Sequence, residues 1–178
     1  MIHDSLTKNM TLAFIGFNPS LTSFSTGFHY AHRSNRFYRI LHASGLTPVL
    51  HSPAESVHFP EWYDYGFTNI VSRPTRRADE LTREDYASGR LRLREKLEYF
   101  KPHFACFVGK GVYQQYAQTT RVAFGFCVPP KVEGVREFVA PGTSGLVRMA
   151  LAEQVAIYAE LARAIAEYRA TARASEGH

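Results

Sequence analysis

The sequence predicts a three-layer α/β/α sandwich around a central, mostly parallel sheet. Short continuous apolar runs recur along the chain; they are too short for helices and read as buried parallel strands, and the segments between them carry helical caps and periodicity. Each run breaks into a loop of Gly, Pro, Asn or Arg. Unusual residues therefore collect at the carboxyl ends of the strands, where open α/β sheets bind ligands. A chain of 178 residues suits one such domain, residues 1–178, with residues 1–10 and 170–178 expected to fray.

Leu12 to Ile15 is the first strand, ended by Gly16, Asn18 and Pro19. This stretch, from Thr11 to Ser20, organises the rest. It delivers Asn18 to the ligand edge, although Asn after a strand is also an ordinary turn former. Leu21 to Arg33 reads as a polar loop interrupted by Phe24, Phe28 and Tyr30. The two Phe either line a site or tuck under the domain. Tyr30, between His29 and His32, sits close enough in sequence to wall a pocket above the strand end. Ser34 is placed to cap a helix from Asn35 to about Ala43, with Phe37, Ile40 and Leu41 on one face and Gly45 beyond it.

Residues 47–65 are irregular, and Gly66 to Val71 is the second strand. It opens into Ser72 to Asp79, whose Arg73, Arg76 and Arg77 either meet phosphate on the Asn18 edge or form a solvated connection. Thr82, with Asp85 three residues on, caps a long helix to about Phe100. Phe104 to Val108 is the third strand, followed by Gly109-Lys110-Gly111 and a helix from about Val112. Glycines around a lysine at a helix start make Lys110 a candidate phosphate contact. The full Gly-x-x-x-x-Gly-Lys-Ser/Thr pattern is missing, which excludes a nucleotide-hydrolysing P-loop. Phe124 to Val128 and Val135 to Ala140 are late strands around Pro129-Pro130. Pro141 to Arg148 leads into a terminal helix from about Met149 to Tyr168.

Lys and Arg number 21 against 16 Asp and Glu, a net charge of +5 with a pI near 9.3. That balance suits a polyanionic partner, and ten Tyr with thirteen Phe suit base stacking better than a membrane anchor. Cys106 and Cys127 have no metal-ligand spacing, and Cys106 reads as a core thiol. No apolar run reaches transmembrane length and no secretory signal opens the chain. The cytoplasm is therefore the expected compartment, with no membrane contact.

Four segments in register carry a resemblance: Gly16-Phe17-Asn18-Pro19; Gly27 to His32 with Asn35 to Tyr38; Phe67 to Val71 with Arg73-Pro74-Thr75; and Ser144-Gly145-Leu146 with Arg148. Together they resemble the mismatch-specific uracil-DNA glycosylases, bacterial relatives of thymine-DNA glycosylase. The resemblance implies that Asn18 positions the hydrolytic water and that Tyr30 stacks on the flipped uracil. Gly16, Phe17 and Ser20 would line its pocket, with backbone groups around Phe17 reading its polar edge. Gly145 and Leu146 would wedge into the duplex, and Arg148 would meet the opposite strand or a phosphate. It further implies a monofunctional hydrolase acting as a monomer on double-stranded DNA that contains a mispaired uracil, with no metal and no organic cofactor. Leu146 could instead be the first core residue of the terminal helix.

This chain departs from the family at two positions. Ser20 replaces a Gly beside the base C5, and Gly142 replaces an Asn near the uracil carbonyl. Two other classes of function remain open on the residues: a non-catalytic DNA-lesion binder on the same scaffold, and a nucleotide-binding enzyme using Gly109-Lys110-Gly111.

Asn18 has no titrating proton, so it can orient a water but cannot serve as its base. Asp79 is the carboxylate best placed by sequence to assist, with Arg76 and Arg77 to keep it ionised. Alternatively, Asp79 and Glu80 merely favour the dipole of the following helix. Asp64 precedes its strand and belongs to the other edge.

Overall fold

The structure, a computed structural model, describes residues 2–177. Its centre is a sheet of five strands: β1 Leu12–Gly16, β2 Tyr65–Asn69, β3 Phe104–Val108, β4 Gly125–Cys127 and β5 Arg136–Ala140. They lie in the order β2-β1-β3-β5-β4. All pairs are parallel except β4 with β5. Strand residues alternate between the two faces, so the register sorts the core into two halves. Phe14 opposes Cys106, and Cys106 opposes Phe138; Ile15 opposes Phe107, and Phe107 opposes Val139.

The first half packs under α2 (Phe37–Ser44), α3 (Phe59–Tyr63) and α6 (Leu151–Glu176), through Phe37, Leu41, Phe59, Tyr158 and Leu161. The second packs under α4 (Arg83–Phe100) and α5 (Lys110–Ala117), through Leu93, Leu97, Val112 and Tyr116. Helices on both faces of a mostly parallel sheet make the three layers that the sequence predicts. Cys106 is buried as expected, and burial pushes its thiol pKa up. No helix among the described residues is long and apolar enough to cross a membrane.

Several local expectations differ. The segment expected as a polar loop begins with helix α1, Leu21–Thr26, because Ser20 caps it from Oγ to the Ser23 N–H and Gly27 closes it at φ 78°. Ser34 does not cap α2; its hydroxyl pairs with His32 Nδ1 at 2.7 Å, and Asn35 Oδ1 accepts from the Phe37 N–H instead. The terminal helix starts two residues later than expected and runs on to Glu176. Before β1, Asp4 and Ser5 are tied down rather than frayed. Ser5 donates its N–H to the Phe67 carbonyl and accepts from the Phe67 N–H, and Asp4 pairs with Lys96 at 2.6 Å. Gly66 permits this, since a Cβ there would lie 2.0 Å from the Ser5 carbonyl oxygen.

Candidate active site

The strand order reverses at β1: the chain passes from β1 to β2 on one side and places β3 on the other. Crevices form at such a switch point, beyond the carboxyl ends of the strands. A cavity of about 620 Å³ opens there, reached by Asn18 after β1, Asn69 at the end of β2, Val108 at the end of β3 and Gly142 after β5.

The segment after β1 is clamped to the segment after β2. Gly16, Phe17 and Pro19 carbonyls accept from the N–H groups of Ile70, Val71 and Thr75, and Ser20 bridges Thr75 in parallel. This pairing engages carbonyls and leaves the N–H groups of Phe17 and Asn18 out of it. Asn18 Nδ2 donates to the Arg73 carbonyl at 2.7 Å and to Thr75 Oγ1 at 2.8 Å. Thr75 in turn donates to the Arg77 carbonyl at 2.7 Å. Both Nδ2 hydrogens are thereby used, which fixes the amide and leaves Oδ1 as the free acceptor.

Gly16 sits beneath a tight junction. A Cβ there would lie 2.7 Å from Asn69 Oδ1 and 3.1 Å from Tyr30 Oη, so only glycine lets both polar groups close over the strand end. Tyr30 adopts φ 53°, and its ring stacks on Phe37 at 3.9 Å and 12°. One ring face is covered by Phe37, and burial raises the phenol pKa well above its ordinary value, keeping it neutral. His29 stacks on Phe67 at 4.4 Å. Burial lowers its pKa to about 4, against smaller opposing effects of Asp4 and the His3 backbone. Ser20, as well as lining the cavity, holds the cap of α1.

Leu146 stands on the rim, 74 % exposed, in a turn closed by the Val147 N–H on the Ser144 carbonyl. It is not a core residue of α6. Gly145 is needed for closeness, because a Cβ would meet Ser34 Oγ at 2.7 Å and Ser34 Cβ at 2.8 Å.

Asn18, Gly16, Phe17, Ser20, Tyr30, Gly145 and Leu146 are thus brought to one cavity. Four other expected residues are not. Asp79 is exposed and pairs with Arg77 at 3.0 Å; its neighbours Arg76, Arg77 and Ala78 line the cavity in its place. Asp79 itself, in the short helix at 78–80, is absent from the cavity lining. Arg73 is committed to Asp85 at 2.7 Å, and this guanidinium, with the Thr82 N–H, holds the Asp85 carboxyl well below its usual range. Lys110 lies over the Phe124 ring at 4.2 Å. The glycines beside it serve packing: a Cβ on Gly111 would meet Phe17 Cζ at 2.6 Å, and the Gly109 N–H already donates to the Ala140 and Phe107 carbonyls. Arg148 lines a second, shallower recess next door.

Sequence reasoning passed over Asn69, which lines the cavity with a side-chain amide beside those of Asn18 and Asn35. Its signal was available: a polar residue at the carboxyl end of the buried β2 run, one register step from Gly16. No carboxylate lines the cavity among the described residues. Its chemistry is that of amides, hydroxyls, the imidazoles of His29 and His32, a neutral phenol and the guanidinium of Arg76, with that of Arg77 paired to Asp79, a set able to bind a planar polar ring and stabilise negative charge on it.

The family model described as "Uracil DNA glycosylase superfamily" matches residues 3–165, a span that includes every strand and every cavity-lining loop after residue 2. Members of that superfamily are glycosylase hydrolases acting on DNA. With its switch-point cavity, locked Asn18 amide and exposed Leu146 on the rim, the chain belongs to the uracil-DNA glycosylase superfamily.

Proposed function

We propose that the protein hydrolyses the N-glycosidic bond of uracil in mispaired duplex DNA and leaves an abasic site, working as a monofunctional monomer. The observation that carries this reading is the fixed Asn18 amide. With Nδ2 spent on Arg73 and Thr75, Oδ1 is the acceptor that a water can use, and a water so held is aimed at the sugar carbon of a base seated in the cavity.

Extruding a nucleotide costs a few kcal/mol and least for a mispaired base, so a G·U pair is the favoured substrate. Leu146, apolar and exposed, fills the vacated stack. Inside, Asn69 offers an amide to the polar edge of the ring, and the Phe17 and Asn18 N–H groups offer donors. The departing base carries negative charge, which these donors stabilise together with Arg76 at the cavity wall. Asn18 orients the water rather than deprotonating it, and the donors around the ring stabilise the leaving base.

The test is single-turnover incubation with end-labelled duplexes carrying U opposite each base, followed by hot alkali. Scission at the uracil, fastest opposite G, supports the reading. Retention of the duplex on the protein without scission would replace it with a non-catalytic lesion binder.

A further inference from the structure

Next to the rim lies a recess of about 390 Å³ lined by Arg36, Arg39 and Arg148, with Val147, Met149 and Leu151. We propose that these three arginines form a clamp for a DNA backbone phosphodiester beside the Leu146 wedge. The proposal rests on the DNA-glycosylase reading for its ligand and adds a second contact site, outside the base cavity.

Three arginines and no carboxylate line the recess among the described residues. Arg39 and Arg148 are exposed, and neither has a salt-bridge partner among the described residues. Arg36 is different. Its Nη1 donates to the Met149 carbonyl and to Gln154 Oε1, both at 3.1 Å, and its N–H donates to the Thr143 carbonyl at 2.9 Å. Arg36 thus braces the recess between α2 and residues 143–154 while the two free arginines supply reach. Arginines gathered around one recess raise its positive potential, and a guanidinium fork matches a phosphate geometrically. The recess also opens at the first turn of α6, whose N-cap Ala150 offers no side-chain acceptor, so free backbone N–H groups add to the same potential.

Val147 lines both the recess and the base cavity. A phosphate seated between Arg39 and Arg148 therefore fixes the position of the strand relative to Leu146, one residue away along the chain. Contacts of this kind set register without reading sequence.

The test uses duplex binding as its readout, so it stands whether or not excision occurs. Arg39→Gln and Arg148→Gln avoid the bracing Arg36, and Lys131→Gln, on the exposed turn before β5, is the control for net charge. Each arginine variant is expected to flatten the dependence of log affinity on log salt by about one unit, with the control changing it less. Neutral methylphosphonate linkages are then walked along each strand of a G·U duplex. At one or two adjacent linkages the wild-type protein should lose affinity while the Arg39→Gln protein loses no more. The strand in which they fall distinguishes a phosphate flanking the uracil from one on the complementary strand. Equal slopes in the arginine variants and the control, or additive losses at every linkage, overturn the clamp. Tight binding with a masked linkage but no scission in alkali would instead retain the clamp and overturn the glycosylase reading.

Discussion

Thr75 Oγ1 accepts from Asn18 Nδ2 at 2.8 Å while donating to the Arg77 carbonyl at 2.7 Å. The hydroxyl proton is committed to Arg77, so Thr75 can present only a lone pair to Asn18, and the amide cannot rotate to offer its oxygen there. Thr75 is a positioning residue. Thr75→Val should lower single-turnover excision of uracil with little change in duplex affinity, and Thr75→Ser should restore most of it. Asn18→Ala should lose about 10²-fold or more, the range of positioned polar groups in hydrolysis. Asp79→Asn, exposed and outside the cavity, should stay close to wild type; a loss matching that of Asn18→Ala would return Asp79 to the reaction.

Leu146→Ala should reduce excision from a G·U duplex more than from single-stranded DNA, because only the duplex leaves a gap to fill. Its melting temperature should not move, since a side chain 74 % exposed contributes little burial. Equal losses on both substrates would remove the wedge.

Tyr30 joins the core to the cavity, so Tyr30→Ala should fail in two ways. Losing the stack on Phe37 should cost about 2–4 kcal/mol of stability, and the cavity wall should be lost with it. Tyr30→Phe keeps the ring and should melt near wild type. Its excision rate isolates the hydroxyl over Gly16; a slow but stable Tyr30→Phe protein would place that hydroxyl on the substrate.

His29 predicts acid sensitivity. Its folded pKa, about 4, lies below the ordinary 6.5 because of burial. The unfolded chain then binds the extra proton first, so stability is full above about pH 6.5 and falls as the pH drops toward 4. The shift corresponds to on the order of 3 kcal/mol. Thermal melts from pH 7.5 to 4.5 should show the decline, and His29→Gln should flatten it across that window while lowering stability at pH 7.5 through the lost stack on Phe67.

Much of this was legible in the sequence where local and global signals agree. The buried runs of β1 and β3 could be nothing but strands. Thr82 and Asp85 announced α4, and the structure contains both capping bonds, Asp85 N–H to Thr82 Oγ1 and Thr82 N–H to Asp85 Oδ2. Helix α1 was hidden because Leu21–Thr26 is rich in Ser and Thr, which favour caps and turns over helix interiors, so its flanking caps, Ser20 and Gly27, read as parts of a loop. The Gly109-Lys110-Gly111 run looked like an anion cradle because sequence cannot reveal the Phe17 ring pressing on Gly111. The exposure of Asp79 was hidden for a related reason: distance along a loop says nothing of which way the loop turns. The arginine recess was invisible because Arg36 and Arg148 meet only when α2 docks on the loop before α6.

The seam between Ser5 and Phe67 bears on how the molecule behaves in a crowded solution. β2 is an outer strand of the sheet, with the aromatic run Tyr65-Gly66-Phe67 in it, and a bare border of that kind invites accretion of another chain. Here both backbone groups of Phe67 that face outward are taken by Ser5, and the Asp4–Lys96 pair sets charge beside them. The opposite border, β4, has only three residues, too short to template a growing ribbon. Gly66, which at first sight only weakens its strand, is what lets the leading segment lie down as a selvage along the cloth.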